Sequence, residues 1–160
     1  MRFLPLIATL TASAAAAPLI QSKASVAEGN FCKTYQCQLL QRSVVAPETM
    51  HTLSYEYRVT GGTLTVGRLS TMEIFTGALT IPAGQWNTPM VRDFFRNFAG
   101  VTPEPSSVRA CVRNALNSGL EGTAMLARGT VAGIGYQAEC QAQRGGRVRL
   151  TVRDSRDLFR

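Results

Sequence analysis

Residues 87–119 hold two amphipathic helices in succession, and two one-sided helices oblige the rest of the chain to supply a surface that covers them. In the first, Val91, Phe94, Phe95 and Phe98 recur at i, i+3, i+4 and i+7 and form one apolar stripe. Thr88 is placed to cap it, Pro89 suits its first turn because proline lacks only an N–H the helix leaves unpaired, and Gly100 stops it. The second repeats the pattern with Val108, Cys111, Val112, Ala115 and Leu116, and ends at Gly119.

The segments on either side read as strands. Leu53, Tyr55, Tyr57 and Val59 alternate with Ser54, Glu56 and Arg58, so one face of 52–59 is buried and the other wet. Gly61-Gly62 then reads as a two-residue hairpin loop, pairing Val59 with Leu64 and Tyr57 with Val66. The next pair, Tyr55 with Arg68, is a mismatch that a bulge at Gly67 relieves. Residues 37–45 and 70–81 read as further strands, the first ended by Pro47. After the helices come 123–128, a longer strand over 131–143, and 147–153.

The last hairpin has a register that its own pattern decides. A two-residue Gly145-Gly146 loop sets Gln143 against Val148, polar against apolar. A three-residue loop, Arg144-Gly145-Gly146, sets Ala142 against Val148, Cys140 against Leu150 and Ala138 against Val152, all inward. The three-residue loop is therefore predicted, with Gly146 left-handed. The fold class that follows is α+β: one antiparallel sheet of five or six strands with both helices on one face, in the order strands, helix, helix, strands. A small sandwich or barrel with an inserted helical hairpin is the alternative.

The N-terminus has a different character. Arg2, the apolar Phe3–Leu10 and the small residues of 11–17 have the three regions of a secretory signal peptide, with cleavage after Ala14 or Ala16. The division is a signal peptide over 1–16, a flexible leader over 17–30, and one disulfide-stabilised domain over 31–160. Four cysteines remain after cleavage, Cys32, Cys37, Cys111 and Cys140, and an even count in an exported chain reads as two disulfides. Cys111 lies on the apolar stripe of the second helix and Cys140 faces the same core, which favours Cys111–Cys140. Cys32–Cys37 then follows by elimination. A tetrahedral zinc site wants two close pairs, and only Cys32/Cys37 is close.

The chain carries 17 basic and 10 acidic residues, a net charge of +7 that loses one unit with Arg2. Fifteen of the basic residues are arginine. The outer face of the last hairpin concentrates them: Gln143 beside Arg147, Gln141 beside Arg149, Glu139 beside Thr151 and Gln137 beside Arg153, with Arg144, Arg156 and Arg160 near the ends. Guanidinium and amide groups on one sheet face can hold phosphates, sulfates or glycan hydroxyls. Arg144, Arg147, Arg149, Arg153, Gln141 and Gln143 are the candidate binding residues. Nucleic-acid sheets add aromatics for stacking, and this face has none, since Tyr136 points inward. The simpler reading is that arginine on an outer or edge strand blocks strand-to-strand aggregation.

Catalytic constellations are scarce. His51 is the only histidine, with no G-x-S-x-G nucleophile elbow anywhere. Glu56, Glu73 and Glu139 are the carboxylates that could converge for glycoside hydrolysis. Gly129, Gly133 and Gly135 are outside the strand–turn–helix setting of a phosphate loop and read as structural. Trp86 reads as a staple on Val91, and the phenylalanine stripe as core rather than lipid pocket.

No catalytic residue, metal site or cofactor is expected. The primary expectation is an exported, disulfide-bonded protein of the bacterial periplasm, cell surface or medium. It acts as a non-enzymatic module that binds an envelope protein or surface polymer, and no transmembrane span is expected in the mature chain. A polyanion-binding role through the Arg/Gln face, for nucleic acid or anionic glycan, is the first alternative. A secreted hydrolase using carboxylates is the second. Oligomeric state is left open.

Overall fold

The computed structural model describes residues 17–45 and 51–156. Residues 1–16, the strand end expected at Pro47, and Arg160 lie outside them. A short helix, α1 (Asn30–Tyr35), precedes four strands: β1 (Gln38–Val45), β2 (Thr52–Val59), β3 (Gly62–Leu69) and β4 (Ile74–Pro82). Two helices follow, α2 (Pro89–Ala99) and α3 (Pro105–Asn117). Three strands close the chain: β5 (Thr123–Val131), β6 (Ile134–Gln143) and β7 (Arg147–Asp154). The strands form one antiparallel sheet of seven in the order β1-β2-β3-β4-β7-β6-β5, one or two more than the sequence suggests.

The order has a simple cause. The chain leaves the sheet after β4, crosses with α2 and α3, and re-enters at the far edge as β5. Each later hairpin steps back, so β7 lands beside β4. α2 packs on β4 and β7, α3 on β5 and β6, and α1 on α2. Phe94, Phe95 and Phe98 of α2 are fully enclosed with Phe31 of α1, ring centroids 5.0 to 6.4 Å apart along Phe31–Phe94–Phe98. The stripe is core, as its spacing implies. Gly77 of β4 makes the contact possible, because a Cβ there would overlap the Phe98 ring.

The last hairpin has the predicted register: Ala142 opposite Val148, Cys140 opposite Leu150, Ala138 opposite Val152, with φ of +67° at Gly146. The two disulfides are Cys32–Cys37 and Cys111–Cys140, the second tying α3 to β6.

Several local expectations change. The β2–β3 loop is Thr60-Gly61, so Tyr57 faces Leu64 and Tyr55 faces Val66, two residues from the predicted register. A slip of two keeps every side chain on its face. Gly62 is a strand residue because a Cβ there would overlap the Thr80 carbonyl oxygen. The irregularity at Gly67 exists, but the extra residue is Phe75 on β4. Residues 123–143 are two strands joined by Ala132-Gly133, both at positive φ, the pattern of a type I′ turn.

Thr88 does not cap α2 through its side chain; its carbonyl accepts the Val91 and Arg92 amides instead. Leu116 is 41% exposed, off the buried stripe of α3. The expected flexible leader is laid against the domain: Leu19 and Ile20 donate to the carbonyls of Asn97 and Phe98, and Gln21 and Ser22 pair with Ile74. Ile20 and Val26 are buried, and the Arg68 guanidinium donates to the Ala24 carbonyl at 2.6 Å. Two isolated apolar anchors have no period, so the pattern that reveals helices and strands does not reveal them.

Candidate functional site

With the three helices on one side, the other side of the sheet is uncovered by any element among the described residues. Its composition follows from strand alternation. Val148, Leu150 and Val152 are fully buried under the helices, so Arg147, Arg149, Thr151 and Arg153 point away from them. The same rule turns Thr63 and Thr65 outward on β3, opposite buried Leu64 and Val66, and Thr80 outward on β4, between buried Leu79 and Ile81.

Register joins these into a row across all seven strands: Gln38, Arg58, Thr63, Thr80, Arg149, Gln141, Thr123. Every member is polar. A parallel row runs Ser43, Ser54, Gly67, Thr76, Arg153, Gln137, Arg128. β7 lies between β4 and β6, and the edges are β1 and β5. The reading of these arginines as protection of an edge strand is therefore corrected: Arg147, Arg149 and Arg153 belong to an interior strand with both backbone edges paired.

Two clefts lie on this face near the β2–β3 and β6–β7 turns. A cleft of about 410 Å³ is lined by Glu56, Thr65, Glu121, Gln143, Arg144 and Arg149, among others. A second, of about 550 Å³, runs toward Arg58, Gly61 at the β2–β3 turn and Gly62 at the start of β3. The two share Glu56, Thr63 and Arg147. Arg147 Nη2 donates to the Thr80 carbonyl at 3.3 Å, while its Nε is buried and without a hydrogen-bond partner.

The candidate residues thus separate by state. Arg144, Arg147 and Arg149 make no ion pair among the described residues and gather at the clefts with Gln143. Arg153 lies on the same face further along β7, already paired with Glu139 at 3.3 Å. Gln143 donates to Gln141 at 3.0 Å, which aligns the two amides along β6.

Thr63, Thr65, Thr80 and the carboxylates Glu56 and Glu121 join the site without having been singled out for it from the sequence. The Thr-x-Thr alternation at 63–65 was the available signal, but the pairing of β4 with β7 that brings it near Arg149 has no local signature. One aromatic does reach this face, contrary to expectation: the Phe75 ring lies against Gly67, where a Cβ would come within 2.8 Å of it. It sits beside the Arg153 row, about 20 Å along the strands from Arg147, and no aromatic lines either cleft.

Comparison with protein-family models, with curated proteins and with solved structures finds no match to this chain. Chemistry at the site therefore rests on geometry. Glu56 and Glu139 face the same way but are separated by four strand spacings through Thr65, Ala78 and Thr151, about 19 Å. Paired glycosidase carboxylates stand about 5–9.5 Å apart. Glu73 is engaged by Arg156 at 3.3 Å. His51 is exposed, seven residues up β2 from Arg58 and so more than about 20 Å from the clefts. No cluster of three metal-ligating side chains occurs among the described residues. The clefts present guanidinium, hydroxyl and amide groups with two flanking carboxylates: a surface equipped to hold a polar ligand.

Proposed function

We propose that this chain is an exported, non-enzymatic binding module that holds an anionic polymer of the envelope or cell surface on its uncovered sheet face. The observation that carries this is the placement of Arg147 and Arg149 on an interior strand, pointing away from every helix and free of acidic partners among the described residues. An interior strand needs no charge to protect its edges, so the arginines call for another role. The span of the face suits an extended ligand: Arg58 and Arg149 are three strand spacings apart, about 14 Å. Export is supported by the signal-peptide pattern of 1–16 and by the pairing of all four cysteines.

The test is retention of the oxidised protein on an anionic matrix. Arg147→Ala with Arg149→Ala should elute at markedly lower salt than wild type. Arg92→Ala with Arg96→Ala, equal in charge but on helix α2, should elute close to wild type. Equal losses from both pairs reduce the interaction to net charge and overturn the reading. The export part has its own check: the intact mass of protein recovered from its host should lack the first 14 to 16 residues.

A further inference from the structure

Resting on that reading, we infer that the paired clefts select an acidic polysaccharide, one that alternates anionic groups with free hydroxyls, over a nucleic acid. Three features of the clefts bear on the ligand. The first is the guanidinium pair. Arg147 is steadied by the Thr80 carbonyl and keeps donors without partners, and Arg149 stands two residues along, about 7 Å away. Planar forks at this spacing suit carboxylate, sulfate or phosphate groups, each of which accepts two parallel N–H donors, so the pair calls for a polyanion and leaves its kind to the other two features.

The second feature is the pair of carboxylates, Glu56 and Glu121, in the same cleft. An ionised carboxylate only accepts hydrogen bonds. A phosphodiester backbone brings it charge repulsion and, in DNA, no donor along the chain. A sugar hydroxyl brings the donor it lacks. The hydroxyls of Thr63 and Thr65 and the amide of Gln143 extend the same pattern, since each can donate to and accept from a sugar ring's substituents.

The third feature is the lack of aromatic rings around both clefts. Stacking of bases on aromatic side chains is a main source of affinity in single-strand binders. Without it, a nucleic acid binds through its phosphates and base edges alone, and the phosphates meet Glu56 and Glu121. An acidic glycan meets the same two carboxylates with its own anions, but its hydroxyls give them donors that offset the repulsion.

The experiment is titration calorimetry in metal-free buffer at fixed salt, with oligoguluronate, neutral dextran, and a single-stranded DNA oligomer matched to the guluronate in charge. Wild type should bind oligoguluronate at least tenfold more tightly than the DNA and should not bind dextran. The charge-neutral variants then give opposite signs. Glu56→Gln with Glu121→Gln should weaken oligoguluronate threefold or more, because charged acceptors for its hydroxyls become weaker neutral ones and this outweighs the relief of repulsion, and should tighten DNA, which loses the repulsion and has no such bonds to weaken. If the same variant tightens both ligands, or if wild type prefers DNA, the glycan assignment is overturned while the binding-module reading stands. If wild type binds none of the charged ligands, both fall together. Exchange of the two glutamates leaves the buried core untouched, and the wild-type preference is informative even if a variant misfolds.

Discussion

Single side chains hold the layers of this domain in place, and Tyr35 shows how. Its hydroxyl donates to Asp93 Oδ2 at 2.6 Å, joining α1 to α2, and its ring stacks at 4.8 Å on Phe31. Burial, then the bond and the charge of Asp93, push its pKa up to about 12. An unfolded tyrosine ionises near 10. A raised folded pKa means the neutral form is favoured by folding, so the stabilisation is complete below pH 10 and fades as pH rises toward 12. Wild type should therefore exceed Tyr35→Phe in urea midpoint at pH 8, and the gap should shrink by pH 11. Tyr57, also raised by burial, is common to both proteins and cancels. No gap at pH 8 would show that the hydroxyl bond contributes nothing, and a gap unchanged at pH 11 would show that folding does not raise the Tyr35 pKa. Tyr35 itself could not be singled out in advance, because its partner lies 58 residues away. The same holds for Gly62 and Gly77, whose missing side chains admit the Thr80 carbonyl and the Phe98 ring. A glycine within a strand signals close approach without saying what approaches.

Among the elements, those with a strong period were legible and those without were not. The three-residue loop of β6–β7 followed from matching two alternating strands, and the Cys111–Cys140 bond followed from helix and strand facing. The β5–β6 turn escaped because Ala132 adopts a φ of +50°, which an alanine does not advertise. The clefts escaped for a topological reason: β4 and β7 pair across 65 or more residues of intervening helix and hairpin. The two disulfides should differ in worth. Cys111–Cys140 closes a separation of 29 residues and Cys32–Cys37 one of 5. Loop-closure entropy assigns about 3–4 kcal/mol to the first and about 2 kcal/mol to the second. Replacing both cysteines of each pair by alanine, and measuring urea unfolding, should reproduce that order. A larger loss from the Cys32/Cys37 pair would mean that α1 and the leader before it carry more of the fold than chain closure implies.

At the scale of the whole molecule, the sheet divides two kinds of interaction that respond differently to salt. On the helix side, stability comes from enclosed aromatic and aliphatic side chains, which ionic strength hardly affects. Of the ion pairs among the described residues, Asp93–Arg96, Glu139–Arg153 and Glu73–Arg156 are partly exposed, and such pairs contribute about 0–1 kcal/mol each, while Arg156 also pairs at 2.6 Å with the buried Asp154 carboxylate. On the open side, Arg147 and Arg149 stand about 7 Å apart, within the roughly 8 Å screening length of physiological salt, and Arg58 lies outside it. The arginines therefore repel one another weakly in the free protein and gain most when a polymer brings an anion to each. Raising sodium chloride from 0.05 to 0.5 M should thus shift the urea midpoint only slightly, while the affinity for oligoguluronate falls about tenfold or more as each arginine contact yields to counterions. Fluorescence of Trp86, half-buried beside α3, can follow unfolding in the same samples used for titration. A salt-insensitive affinity would place the ligand on hydroxyl contacts alone and take the arginines out of recognition. A stability that collapses with salt would mean that charge pairing across the open face, rather than the phenylalanine core, holds the seven strands together.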